Sequence, residues 1–206
     1  MSDLLNGTVC TGIRVVSVVT ERPHPRVMVG YRITARDQMM AKGIPLRSGR
    51  GAPRLYLGLS MRLEADPEVS YLMTTSSVML LALDPELRQP LLHYDYEREK
   101  ADGYPEAHIQ VCASSPAWER VGEICGGEKG RELERLHLPV GPRRFRPSLE
   151  DLIEFVISER IVPPMQKAWR TVLDESRERF RVKQLRAAVR RDPDTALAVL
   201  REEGHL

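Results

Sequence analysis

Cysteine is scarce in these 206 residues: Cys10, Cys112 and Cys125 stand alone at long spacings. An odd number so widely spaced indicates neither a disulfide framework nor a zinc knuckle, and reduced thiols are expected. Long apolar runs are missing too. No window approaches the ~18 consecutive apolar residues of a membrane-spanning helix. The start, Met1-Ser2-Asp3-Leu4-Leu5-Asn6-Gly7, lacks the basic stretch and apolar core of a secretory signal. The expected location is therefore cytoplasmic, with no membrane contact. A Walker loop, a dinucleotide fingerprint, zinc-ligand spacing, a serine elbow and a kinase signature are all wanting. No motif names a reaction, and no cofactor is expected.

What is present suits one domain, or one domain with an appendage: 42% of residues are hydrophobic and 29% charged, which excludes a fibre or a disordered chain. The net charge of +2 hides an uneven distribution. Residues 1–62 carry 10 basic and 3 acidic side chains (+7), residues 63–164 carry 11 and 19 (−8), and residues 165–206 carry 10 and 7 (+3). A basic first third beside an acidic middle suits a polyanion, but it suits equally well pairing within the chain or with a second copy. Arginine supplies 26 of the 31 basic residues. That bias fits planar recognition of phosphate or carboxylate, and also a GC-rich genome.

The first half is patterned for strands, because apolar side chains recur at every second position as a half-buried sheet requires. One series runs from Val9 to Val19, a second through Val27, Val29, Tyr31 and Ile33, and the cleanest through Leu55, Leu57, Leu59, Met61 and Leu63. Pro23 and Pro25 mark a turn between the first two, so these read as a hairpin. Ser70–Leu83 reads as one long strand, and Arg88–Glu97 with Ala107–Ala113 as an antiparallel pair. Residues Lys42–Pro53 and Gly122–Gly130 read as mobile loops. Within the second, Cys125 sits between Glu123 and Glu128, whose charges raise a thiol pKa, so an ordinary loop cysteine is expected there. Cys10 and Cys112 fall in strand-like runs.

From Ser148 the period becomes helical. Leu152, Ile153, Val156 and Ile157 form one stripe, Ser148 with Asp151 resembles a capping box, and Pro163-Pro164 is expected to end the helix. A longer helix is predicted from Pro164 onward through Trp169, Leu173 and Phe180 to Val189. A last one starts at Asp192-Pro193, with Asp192 as N-cap. The expected architecture is α+β: an antiparallel sheet meander with one packed helix over residues 1–162, and a C-terminal helical hairpin arm over residues 163–206.

Two constellations could carry chemistry. If Leu92–Glu97 and Ala107–Val111 are paired strands, His93, Asp95 and Glu97 share a face with His108 and Gln110. Two imidazoles and carboxylates so gathered can transfer protons near neutral pH or hold a divalent metal, although no metal ligand set is assigned. His93, Asp95 and His108 are the candidate catalytic residues. The alternative is that alternation alone puts polar groups on a wet face, with Tyr94, Tyr96, Ile109 and Val111 on the core side. Arg143, Arg144 and Arg146 precede the helix starting near Ser148, a place that favours anions, and are the candidate phosphate- or anion-binding residues. The competing structural role is neutralisation of Glu150, Asp151 and Glu154, with Phe145 as a hydrophobic plug.

The run from Leu136 to Phe155, LHLPVGPRRFRPSLEDLIEF, with the His93-Tyr94-Asp95-Tyr96 strand and the ending RRDPDTALAVL, resembles a group of uncharacterised actinobacterial conserved proteins over residues 88–203. That resemblance implies a shared origin and fold and hands over no catalytic role. The same strand is faintly similar to small bacterial toxin components of toxin–antitoxin pairs. Taken together, the expected function is binding or interaction, adaptor-like, with a protein partner or a second copy engaged through the C-terminal helical arm. The alternative is a small phosphodiester hydrolase, or toxin-like nuclease, using His93, Asp95 and His108 with the three arginines on phosphate. Nucleic acid is the less favoured partner, since the arm mixes Asp174, Glu175 and Glu178 with its arginines and its hairpin has the wrong loop for a recognition helix.

Overall fold

The computed structural model describes residues 1–20, 26–49, 51–66, 71–100, 103–113, 115–125, 133–141 and 146–206. Its strands are β1 (Val15–Thr20), β2 (Arg26–Tyr31), β3 (Ile44–Pro45), β4 (Tyr56–Ala65), β5 (Leu72–Ala82), β6 (Pro90–Glu97), β7 (Ala107–Val111) and β8 (Leu138–Pro139). They form one eight-stranded antiparallel sheet in the order β1-β2-β4-β5-β6-β7-β8, with β3 paired to β4. The helices among the described residues are α1 (Ser2–Thr8), α2 (Pro116–Cys125), α3 (Leu149–Ser158), α4 (Trp169–Arg191) and α5 (Pro193–Glu202). The fold is α+β, and among the described residues no helix is long and apolar enough to cross a membrane.

Alternation decides which side of the sheet is dry. Leu57 and Leu59 on β4 lie beside Leu81 and Met79 on β5, and these four meet Leu152, Ile153, Val156 and Ile157 of α3 in one core. Burying each such side chain contributes about 1.5–3 kcal/mol. The box that starts α3 is complete: Asp151 N donates to Ser148 Oγ at 3.3 Å, and Ser148 N donates to Asp151 Oδ2 at 2.8 Å. This satisfies two of the amides that a helix start leaves without partners. Among the described residues the acids of α3 find partners on α4. Glu150 accepts from Ser176 Oγ at 2.7 Å, while Arg177 Nη2 reaches both Asp151 (3.0 Å) and Glu154 (2.7 Å), so α4 supplies their partners.

The structure departs from the sequence reading in several places. The expected strand over Val9–Val19 begins only at Val15; helix α1 precedes it, and Leu4, Leu5, Thr8 and Val9 form a short helical stripe buried in the core. Asn6 secures the corner by donating to Ile13 O (2.8 Å) and accepting from Ile13 N (2.9 Å). Cys10 lies just after that helix, where burial pushes its thiol up to about 12 and leaves it inert. The supposed mobile loop Lys42–Pro53 contains β3. Ile44 and Leu46 are core residues, and Gly43 passes so close to Tyr56 that an added Cβ would sit 2.6 Å from the Tyr56 Cβ. Of the second supposed loop, residues 122–125 belong to α2 and residues 126–130 lie outside the described residues, as does the side chain of Cys125. Helix α3 stops at Ser158, ahead of Pro163-Pro164, where Arg160 turns into the left-handed region and Val162 N bonds back to Val156 O. Helix α4 begins at Trp169, because Met165 N is tied instead to Thr8 O.

The arm expected over residues 163–206 is rooted in the body through Trp169 and Leu173, which join the core beside α1. Past them α4 runs on to Arg191, Asp192 caps α5 by accepting from Thr195 N at 3.2 Å, and α5 buries no residue.

Candidate functional site

Strands β5, β6, β7 and β8 position the site. The register sets Val78 opposite Asp95, Asp95 opposite His108 and His108 opposite Pro139, while His93 faces Gln110. The pleat therefore sends His93, Asp95, His108 and Gln110 to one face, and Tyr94, Tyr96, Ala107 and Ile109 to the other, where α3 packs. Sequence reasoning paired these strands for the same reason.

The side chains meet. His93 Nδ1 lies 3.0 Å from Asp95 Oδ2, and His108 Nε2 lies 3.6 Å from the same oxygen. A carboxylate only accepts, so the His93 ring donates from Nδ1, and in the neutral ring the lone pair then lies on Nε2. The side chain of His93 is 21% exposed. His108 is buried at 2% exposure, and its Nδ1 faces the Pro105 carbonyl oxygen at 3.3 Å, which holds the ring from the other side. Asp95 Oδ1 is buried and has no hydrogen-bond partner among the described residues. A carboxylate oxygen without a donor is costly in a buried place.

Three further groups complete the cluster. His137, just before β8, stands edge-on to His108 with ring centroids 4.5 Å apart, and Tyr104 lies on its other side at 4.1 Å. Burial, then the charges of His108 and Lys100, hold the His137 imidazole below its ordinary pKa, which favours the neutral ring at pH 7. Lys100 is itself largely covered, at 16% side-chain exposure, with Nζ 3.6 Å from Glu97 and 5.7 Å from the Tyr104 ring centre. Sequence reasoning passed over His137, Tyr104 and Lys100. For His137 a signal existed: one step past the Ile109 and Leu138 pair, its position continues the polar row of Gln110.

Arg146 does not join this face. Its guanidinium lies 4.1 Å above the ring of Tyr96, which leaves β6 on the side opposite Asp95. Burial and the nearby Arg98 charge depress its pKa, against the opposing pull of Tyr96. Arg143 and Arg144, and the Phe145 plug, lie outside the described residues. Glu97 is exposed and turned to Lys100. Among the described residues no three His, Cys, Asp or Glu side chains are disposed to hold a metal ion. The arrangement can perform proton transfer: Asp95 orients His93 and balances charge on either neighbouring ring, while Lys100 lends positive charge at the far end of the cluster.

Comparison with known proteins adds no assignment: no protein-family model matches the chain, no curated protein matches it, and no solved structure matches it.

Proposed function

We propose that the protein acts by binding, with the sheet as scaffold and the distal arm as the contact surface for a protein partner or a second copy of the chain. The observation that carries this reading is the arm's uncovered apolar surface. Phe180, Val182, Leu185 and Val189 on α4, with Leu197, Val199 and Leu200 on α5, are each more than a third exposed. Val182, Leu185 and Val189 repeat at three- and four-residue spacings, so they form a stripe suited to helix packing. Contiguous apolar surface of this kind marks interaction sites more often than solvent-facing ones. A photo-crosslinking residue at Leu185 or Leu197 in producing cells should give one discrete adduct, a dimer or a single partner, that Val189→Glu abolishes. No adduct, or an unchanged set of adducts in the variant, overturns the reading.

A second reading is favoured by a different observation, the Asp95 carboxylate set between His93 and His108. It is acid–base hydrolysis of a phosphodiester, with His93 Nε2 as base and Lys100, whose charge acts on His137, as a cation of the cluster. Incubation with bis(4-nitrophenyl) phosphate should release nitrophenol at a rate that falls ~10²-fold or more in His93→Ala, the usual contribution of a positioned general base. Equal rates for wild type, His93→Ala and the uncatalysed blank overturn it.

A further inference from the structure

Away from the histidines, where the chain leaves α3, a cleft of about 380 Å³ is lined by Arg47, Ser48, Gly49, Arg54, Leu55, Ile161 and Pro163. That volume lies within the ~300–1,000 Å³ usual for small-molecule sites. Its charge is one-sided. Among the described residues no carboxylate pairs with Arg47 or Arg54, although Glu64, Glu86, Glu154 and Glu178 all find cationic partners elsewhere. Arg47 is nonetheless held in place: its amide donates to Val9 O at 2.7 Å, and its Nη1 donates to the Pro164 carbonyl. The first bond fixes the backbone and the second the side chain, and neither neutralises the guanidinium. Ser48 Oγ donates to the carbonyls of Gly51 and Ala52, both at 3.0 Å, and so curls the loop that carries Arg54 back towards β4. Leu55, Pro163 and the exposed Ile161 give the same cleft an apolar part.

From this juxtaposition we infer that the cleft binds a small oxyanion carrying an apolar substituent, with Arg47 and Arg54 taking the anion and Ile161 and Pro163 the substituent. Guanidinium forks match both carboxylate and phosphate oxygens, and a preset arginine loses less freedom on binding than a mobile one. The site owes nothing to the apolar stripe of the distal arm or to the histidine face. A structural duty towards Pro164 accounts for Arg47 but leaves Arg54, which is exposed and makes no bond within the described residues, without a role.

The test is a backbone-amide NMR titration of the full chain at low ionic strength with phenyl phosphate, benzoate, inorganic phosphate and neutral benzyl alcohol. Phenyl phosphate or benzoate should shift amides of residues 47–55 and 161–163, and the tighter of the two identifies phosphate or carboxylate as the natural group. Arg54→Ala should weaken that binding at least tenfold with an unchanged thermal midpoint. Ile161→Ala should weaken the aryl anion several-fold while leaving inorganic phosphate as it was. Benzyl alcohol should shift nothing. Aryl-anion binding that is unchanged in Arg54→Ala, shifts confined to other residues, or no shift with either aryl anion overturns the inference.

Discussion

Trp169 and Leu173 open helix α4 in the core, at 8% and 1% exposure, whereas Leu185 and Val189, further along the same helix, are 55% and 45% exposed. The residue types are similar and the backbone is continuous, so the difference lies in what each half meets. The first half finds α1 and α3, and its charged residues Arg170 and Arg177 find the acids of α3. The second half meets α5, which has no buried residue. Packing, not propensity, supplies most helix stability in proteins, and the distal arm has little of it within the described residues.

That contrast can be broken or sharpened by experiment. The largest expected effect is Leu173→Ala, which should lower the free energy of unfolding by about 2–5 kcal/mol in urea titrations, because it leaves a cavity in a closed core. Leu185→Ala should change it by less than about 0.5 kcal/mol, since the side chain already meets water. A large loss in the second variant at micromolar concentration, absent on dilution, would mean that a second copy covers the stripe.

Caps come next. Ser148→Ala should cost about 1 kcal/mol of global stability, because α3 cannot leave without opening the core. The equivalent change in the arm, Asp192→Ala, should leave the urea midpoint in place and speed hydrogen exchange only in the first turn of α5. Equal global losses from both caps would show that the arm unfolds with the body.

Acid titration gives a smaller contrast. Burial pushes the Asp151 carboxyl up, but the Ser148 amide and hydroxyl and the Arg177 guanidinium outweigh it and hold it below its ordinary value. Its folded pKa thus lies below its unfolded one, and the unfolded chain binds the proton first. The stability it contributes is complete above the unfolded value of about 3.9 and is lost as pH falls through the folded value. Ser148→Ala should flatten this dependence below pH 4. Glu178 in the arm is also lowered by its partner Arg181, but that pair stands in open solvent. Arg181→Ala should produce no measurable change at physiological salt, the smallest effect of the set.

Some of this was legible in the residues. The alternation of Leu55 to Leu63 exposed β4, the Ser148 and Asp192 caps marked two helix starts, and the spacing in HYDY and AHIQV put His93, Asp95 and His108 on one face. Helix α1 was hidden, because Val9–Val19 alternates and a seven-residue helix has too few turns to show a period; only α4 packed beside it makes its stripe useful. Strand β3 was hidden because two residues carry no pattern, and Ile44 becomes a strand residue only by pairing with Leu57. His137 was missed on similar grounds, because it lies just before the two-residue strand β8. Arg146 was grouped with an anion site by nearness in sequence, yet the path of the chain brings it over the ring of Tyr96, on the face opposite His93 and Asp95.

Period and punctuation are local properties, carried by side-chain pattern, proline and capping groups, and from them follow the mixed α+β class, the antiparallel pairs and the inward stripe of α3. Which short segments fold at all, which arginine meets which acid, and that Asp95 stands between two imidazoles are settled between residues far apart in the chain. Those depend on distances of a few ångströms that exist only once the sheet is closed and α3 and α4 lie against it, and no local pattern encodes them.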